Sequence, residues 1–154
     1  MANQLPTEIT MRSQLSEIAA MMERRRSDPE LLSRINGREA AFQISMWDGL
    51  TNAASHGNRH DASKRVYVHY TCEPDGSLSI IIRDEGGRFN PNDVPIPKDM
   101  GEDSGCGMHL MASYMDDVQF RRNGTEVYMR MTGHQDHERQ RNSQIGDSGR
   151  QKAC

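Results

Sequence analysis

The sequence predicts an α+β fold: a two-layer sandwich of helices on one face of a mixed, mostly antiparallel sheet. Three observations predict it. Apolar residues recur at helical spacing from Leu15 to Met22 and again along 37–55. Two pairs of alternating segments, 65–70 with 78–83 and 118–122 with 125–131, are each joined by a turn signal, Pro74-Asp75-Gly76 and Asn123-Gly124. The resulting order, β-α-α-(long α)-β-β-loop-α-β-β, places a helix layer against a sheet built largely from hairpins.

Each element has its own signal. Leu5, Ile9 and Met11 share one parity and suggest a short first strand, with Pro6 near its start marking an edge. Leu15, Ile18, Ala19 and Met22 form the stripe of an amphipathic helix running to about Arg26, where Arg24-Arg25-Arg26 suits the negative end of the helix dipole. Asp28 and Pro29 are an N-cap and first-turn pair that restarts a helix. Asn36-Gly37-Arg38-Glu39 resembles a capping box opening the long helix, which stops at His56-Gly57-Asn58. Residues 84–104 hold Gly86, Gly87, Pro91, Pro95, Pro97 and Gly101 and read as a long irregular loop. A helix follows from Gly107 to Met115, with Met108, Met111 and Met115 on one stripe.

Composition bounds the function. Of the 154 residues, 34% are hydrophobic. Counted with glycine and without tyrosine, the apolar share is about 40%, below the ~45–50% of ordinary globular domains. Mean hydropathy is −0.83. Part of the deficit falls in 133–154, where Ile145 is the only large aliphatic residue; this segment reads as a disordered polar tail behind a single domain at 1–132. Such a length leaves no room for a sensor kinase with its own dimerisation stalk. No apolar run approaches the ~20 residues that span a bilayer, and the start, Met1-Ala2-Asn3-Gln4, has no signal-peptide character. A net charge of −3 argues against nucleic acid as the main partner. Three widely spaced cysteines, Cys72, Cys106 and Cys154, give no disulfide framework and suggest a reducing cytoplasm. His56, His60 and Cys72 are not grouped as zinc ligands are.

Chemistry concentrates at three places. Asp48 and Asn52 lie four residues apart on one face of the long helix, with Ser45 close by, while Phe42, Met46, Gly49 and Ala53 face the core. A carboxylate with a carboxamide can serve a hydrated divalent cation and take a proton; alone, the pair reads first as a solvated helix stripe. Strand parity sets Asp84 at the end of the apolar face Leu78, Ile80, Ile82, and Gly86 allows a flat ring to approach the backbone. A carboxylate in so dry a place would be satisfied by a ligand amine such as adenine N6, and alone it is equally an Asp-x-Gly turn. Ser104-Gly105-Cys106-Gly107 running into Met108 is a Gly-rich turn at a helix start, able to bind an anion through backbone amides beneath the preceding loop as a lid. Alone it is equally a helix start with flexible glycines. Each pattern is common; their order and settings together are not.

That order resembles the Bergerat-fold (GHKL) ATP-binding superfamily, and within it the anti-sigma-factor serine/threonine kinases of the partner-switching type. Trp47-Asp48-Gly49-Leu50-Thr51-Asn52-Ala53-Ala54-Ser55-His56-Gly57 resembles the N box. Arg83-Asp84-Glu85-Gly86-Gly87-Arg88-Phe89-Asn90-Pro91 resembles the first glycine box, Ser104-Gly105-Cys106-Gly107-Met108 the second, and Asn123-Gly124-Thr125-Glu126-Val127 the closing strand. The resemblance implies ATP and Mg²⁺ as ligands, with Asn52 on the metal and Asp48 as catalytic base. It further implies that Asp84 binds adenine N6 with Gly86 beside the ring, that Thr125 supports the base through a water, and that Gly105 and Gly107 cradle the phosphates. Ser55 and His56, one turn beyond Asn52, would reach the phosphate or ribose.

Two positions depart from the family pattern. Asp48 stands where glutamate is usual and is one methylene shorter. Arg88 stands where the first box usually has its second glycine, and either crowds the nucleotide or adds a cation to it. The expected function is an ATP/Mg²⁺-dependent protein serine/threonine kinase in the cytoplasm, binding a sigma factor and phosphorylating an antagonist protein. A homodimer is expected from the resemblance alone. The alternatives are a non-catalytic ATP-binding module that binds a protein partner, and an isolated histidine-kinase catalytic domain.

Overall fold

The computed structural model describes residues 8–35, 37–86 and 111–132. The chain runs β1 (Glu8–Arg12), α1 (Leu15–Arg25), α2 (Pro29–Arg34), α3 (Glu39–Asn52), a wide π-helical turn (Ala53–Gly57), β2 (Arg65–Cys72), β3 (Leu78–Asp84), a helical turn at 111–114, β4 (Asp117–Arg121) and β5 (Glu126–Met131). The five strands form one sheet in the order β1-β2-β3-β5-β4. The sheet expected to be mostly antiparallel is antiparallel at every described pairing. Among the described residues no helix is long and apolar enough to cross a membrane.

Alternation decides which sheet face is covered. Val66, Val68 and Tyr70 of β2, Leu78, Ile80 and Ile82 of β3, and Val127, Met129 and Met131 of β5 are all buried beneath the helices. Opposite them stand Ile18 and Met21 of α1, Leu31 of α2, and Phe42, Met46 and Leu50 of α3. Gly49 brings α3 close to the middle of the sheet: a Cβ there would lie 2.8 Å from Ile82 Cδ1. The expected core face of α3, with Phe42, Met46, Gly49 and Ala53 all buried, is observed.

Four expectations are corrected. The stripe of α1 is rotated: Ile18 and Met21 are buried, whereas Leu15 is 49% exposed and Ala19 is exposed. The capping box is not formed. Arg38 holds the cap position without a side-chain cap bond, and Glu39, the first helical residue, accepts the Gly37 N–H at 3.2 Å; Asn36 lies outside the described residues. The long helix does not keep an α pitch to Ser55 but widens after Asn52. The last hairpin is not closed by Asn123-Gly124 alone. Its final pair is Arg121 with Glu126, and Arg122, Asn123 and Gly124 all have positive φ. Thr125, just beyond the loop, accepts the Asp84 N–H at its carbonyl at 2.9 Å, next in register after the Arg83–Glu126 pair. The Asp28 cap is as expected, accepting from Glu30 and Leu31 N–H with Pro29 next.

Arg38 serves the tertiary structure instead of the helix cap. Its guanidinium donates to Asp116 at 2.7 Å and to the Tyr114 carbonyl at 2.6 Å. Burial alone would raise the Asp116 carboxyl, but the Thr132 N–H and the Arg38 guanidinium hold it below its ordinary value. This cluster ties the start of α3 to both sides of the last hairpin. Arg38→Ala, which leaves Asp116 without that cation, is expected to cost about 3 kcal/mol in urea unfolding at neutral pH. Because the Asp116 carboxyl is lowered in the fold, its stabilisation is present above the unfolded value and is lost as pH falls below it.

Candidate functional site

A recess opens where the end of α3, the wide turn, the end of β3 and the last hairpin converge. Gly49, Asn52, Ala53 and Gly57 form one wall, Ile82 and Asp84 another, and Met111, Phe120, Gly124, Thr125 and Val127 the rest. The lining is apolar except for Asn52, Asp84 and Thr125. Such a slot suits a flat, mainly apolar ring with a polar edge.

Asp84 is the polar group at its edge. Inward parity carries it to the end of the Leu78, Ile80, Ile82 face, as the alternation predicts. Its Oδ1 accepts the Gly86 N–H at 2.8 Å. Burial pushes its carboxyl up to about 6, against the Gly86 N–H and the Lys64 charge, which pull it down. Two glycines make this environment. A Cβ on Gly57 would collide with the Asp84 carboxylate, and one on Gly86 would collide with the Gly57 carbonyl. Gly86 was expected at the site. The sequence marks Gly57 as a helix end and the last residue of the N-box-like stretch but gives it no role at the site, because nothing along the chain says that this backbone meets a residue 27 positions later.

The helix pair is divided between two surfaces. Asn52 lines the recess. Asp48, one turn earlier, lines a neighbouring groove between α1 and α3 with Ala19, Met22, Gln43, Ile44 and Trp47. Burial raises the Asp48 carboxyl. Among the described residues its Oδ2, and the Oγ of fully buried Ser45, have no hydrogen-bond partner.

The other expected residues take varied positions. Thr125 lines the recess, but its hydroxyl donates to the Arg122 carbonyl at 2.9 Å. Ser55 donates to the Thr51 carbonyl at 2.6 Å, and His56 is exposed; neither is among the residues that line the recess. Arg88, Ser104, Gly105, Gly107 and Met108 lie outside the described residues, as do the expected lid and tail.

An antiparallel sheet covered on one face by helices is the α+β architecture of a GHKL-type ATPase domain. The chain belongs to the histidine kinase-like ATPase domain family, whose model matches residues 6–131. It is similar to the anti-sigma F factor of Priestia megaterium, with 32% identity over an alignment of 91 positions that covers 54% of this chain and 62% of that protein. It is also similar to the anti-sigma F factor of Heyndrickxia coagulans, with 32% identity over 84 residues, 51% of this chain and 57% of that protein. The match therefore spans about three fifths of these relatives. Among solved structures, the blue-light activated histidine kinase of Erythrobacter litoralis EL346 has the same fold. Its TM-score is 0.52 at 16% identity, covering 84% of this chain and 44% of that one. A structure of that enzyme's histidine kinase domain gives 0.50 at 18% identity, covering 77% and 62%.

Gly57→Ala separates packing from propensity. Alanine favours helical backbone by about 1 kcal/mol over glycine, so propensity alone predicts a more stable protein. Overfilling the contact with Asp84 costs ~1–3 kcal/mol and is expected to prevail. The measurement is the urea midpoint, which should fall.

Proposed function

We propose that the recess binds ATP and that the chain is a cytoplasmic protein serine/threonine kinase acting as an anti-sigma factor in a partner switch. The single observation that carries the reading is Asp84: a desolvated carboxylate at the edge of an apolar slot, walled by two glycines whose Cβ positions are already filled. The exocyclic amine of adenine supplies a second donor beside the Gly86 N–H, and the slot takes the ring. Gly86 lies beside the ring, and Thr125 supports the base through a water.

The residues present also fit Mg²⁺. Asn52 offers a hard carboxamide oxygen at the recess wall; when bound, the ion neutralises charge on the phosphates. Ser55 and His56 border the phosphate end, and Arg88, Ser104, Gly105, Gly107 and Met108 complete it. Asp48 takes the proton of an acceptor hydroxyl as that oxygen attacks the γ-phosphorus and ADP leaves. A carboxyl raised by burial is suited to hold that proton. The partners are a sigma factor and an antagonist protein, the latter carrying the acceptor; the chain would act as a homodimer. The anti-sigma F factors to which it is similar support this reading.

A second reading, an ATP-binding module without phosphotransfer, is favoured by one observation. Asp48, already one methylene short, lines the groove beside the recess and not the recess itself.

Calorimetry and labelling test both. Asp84→Asn is expected to weaken ATP binding about tenfold or more, since it exchanges a charged acceptor for a neutral amide. Affinity for ATP should fall as pH drops through about 6, because protonation of Asp84 competes with the amine; Asp84→Asn should flatten that profile. Stability has the opposite sign. The raised carboxyl favours the folded protein below its unfolded value of 3.8, and this contribution is lost as pH rises through about 6. Asp84→Asn should therefore unfold at a urea concentration no lower than wild type at pH 7. With γ-labelled ATP and a serine-bearing antagonist, wild type should transfer label and Asp48→Asn should lose at least ~100-fold in rate. ATP binding with no transfer by wild type selects the module.

A further inference from the structure

Asn58 follows the wide turn and is wholly buried, yet the proposed reaction gives it no role. Its carboxamide joins three segments that are distant in sequence. Nδ2 donates to Ser13 Oγ at 2.5 Å, between β1 and α1, and to the Arg65 carbonyl at 2.8 Å, at the start of β2. Oδ1 accepts the Glu85 N–H at 2.9 Å, just past β3. Both amide hydrogens and the oxygen are thus engaged, as burial requires.

Glu85 stands between Asp84 and Gly86. Its N–H belongs to the peptide that leaves Asp84, so Oδ1 of Asn58 holds that peptide. The peptide entering Asp84 is held by the Thr125 carbonyl. The backbone of Asn58 bears on the same carboxylate from the other side: its N–H bonds the Ala53 carbonyl at 2.8 Å and closes the turn that lays Gly57 against Asp84. One residue therefore governs both the turn that carries the carboxylate and the wall that desolvates it.

We propose that Asn58 is a positioning residue for base recognition: through Glu85 and Gly57 it sets how the Asp84 carboxylate is presented to the exocyclic amine of adenine. It thereby controls discrimination between adenine and purines lacking that amine. This inference rests on the reading of the recess as an ATP site.

The test is calorimetry on the full chain with ATP and with purine riboside triphosphate, which lacks the amine. Wild type is expected to prefer ATP by about tenfold or more. Asn58→Ala should reduce that preference to about threefold or less, while affinity for the amine-free analogue changes less than twofold. A wild-type ratio near one overturns the ATP reading and the inference with it. A wild-type preference that Asn58→Ala retains, with only the thermal midpoint lowered, overturns the inference alone and leaves Asn58 a structural residue. If Asn58→Ala does not fold, Ser13→Ala replaces it. Removing one of the two acceptors of Nδ2 should lower the ratio by about half, and an unchanged ratio overturns the inference.

Discussion

Where the chain leaves α3 it makes a turn wide enough to lay the Gly57 backbone against the Asp84 carboxylate, and Gly86 closes over the Gly57 carbonyl in turn. These contacts join the helix layer to the sheet at the edge of the recess. A tight α turn followed by a side chain would hold the layers apart there. π-helical turns of this kind are frequent at functional sites, where they re-aim a helix end at a cost in regular hydrogen bonding. Here that cost is offset by the bonds from Asn58 N–H to the Ala53 carbonyl and from His60 N–H to the Ala54 carbonyl.

The same approach explains why the edge of the recess is chemically tense. Water is excluded from one side of Asp84 by the Gly57 backbone, while Ile82 precedes it on the same face. One N–H bond from Gly86 and the charge of Lys64 do not outweigh the desolvation. A fold selected for stability alone would place an amide or an apolar side chain at such a position. A carboxylate kept there is explained by a ligand that donates to it, so the local cost in stability is itself an argument for binding.

Features set by period within one element were legible in the sequence. The parity of Leu78, Ile80, Ile82 and Asp84, the core face of α3 and the Asp28-Pro29 start each depend on spacing along a single segment. What was not legible depends on contacts between segments. Apolar character alone marks Leu15 for the α1 stripe, yet Leu15 stays exposed while Met21 is buried. Arg38 reads as a residue inside a capping box, but its position across from Asp116 is known only once the last hairpin is in place. The bond from the Asp84 N–H to the Thr125 carbonyl, just before β5, likewise links segments that no local turn signal pairs. Gly57 and Asn58 belong to the same class: their roles are set by Asp84 and Glu85, which no local pattern links to them.

The division of Asp48 from Asn52 follows from the same geometry. Four residues advance a helix by about 6 Å and little more than one turn, so the two side chains point in similar directions at different heights. At the height of Asn52 the helix faces β3 and the recess, whereas at the height of Asp48 it faces α1 and the groove with Met22 and Trp47. In the kinase reading this separation gives the two substrates different approaches to α3, the nucleotide from the sheet side and the acceptor hydroxyl from the groove. In that reading the acceptor hydroxyl meets the Asp48 carboxylate, which burial raises. In the module reading the same carboxylate has no proton to take, and its desolvation has no compensating role. The proposed kinase reading gives each of the two burial-raised carboxylates a donor, the adenine amine for Asp84 and the acceptor hydroxyl for Asp48.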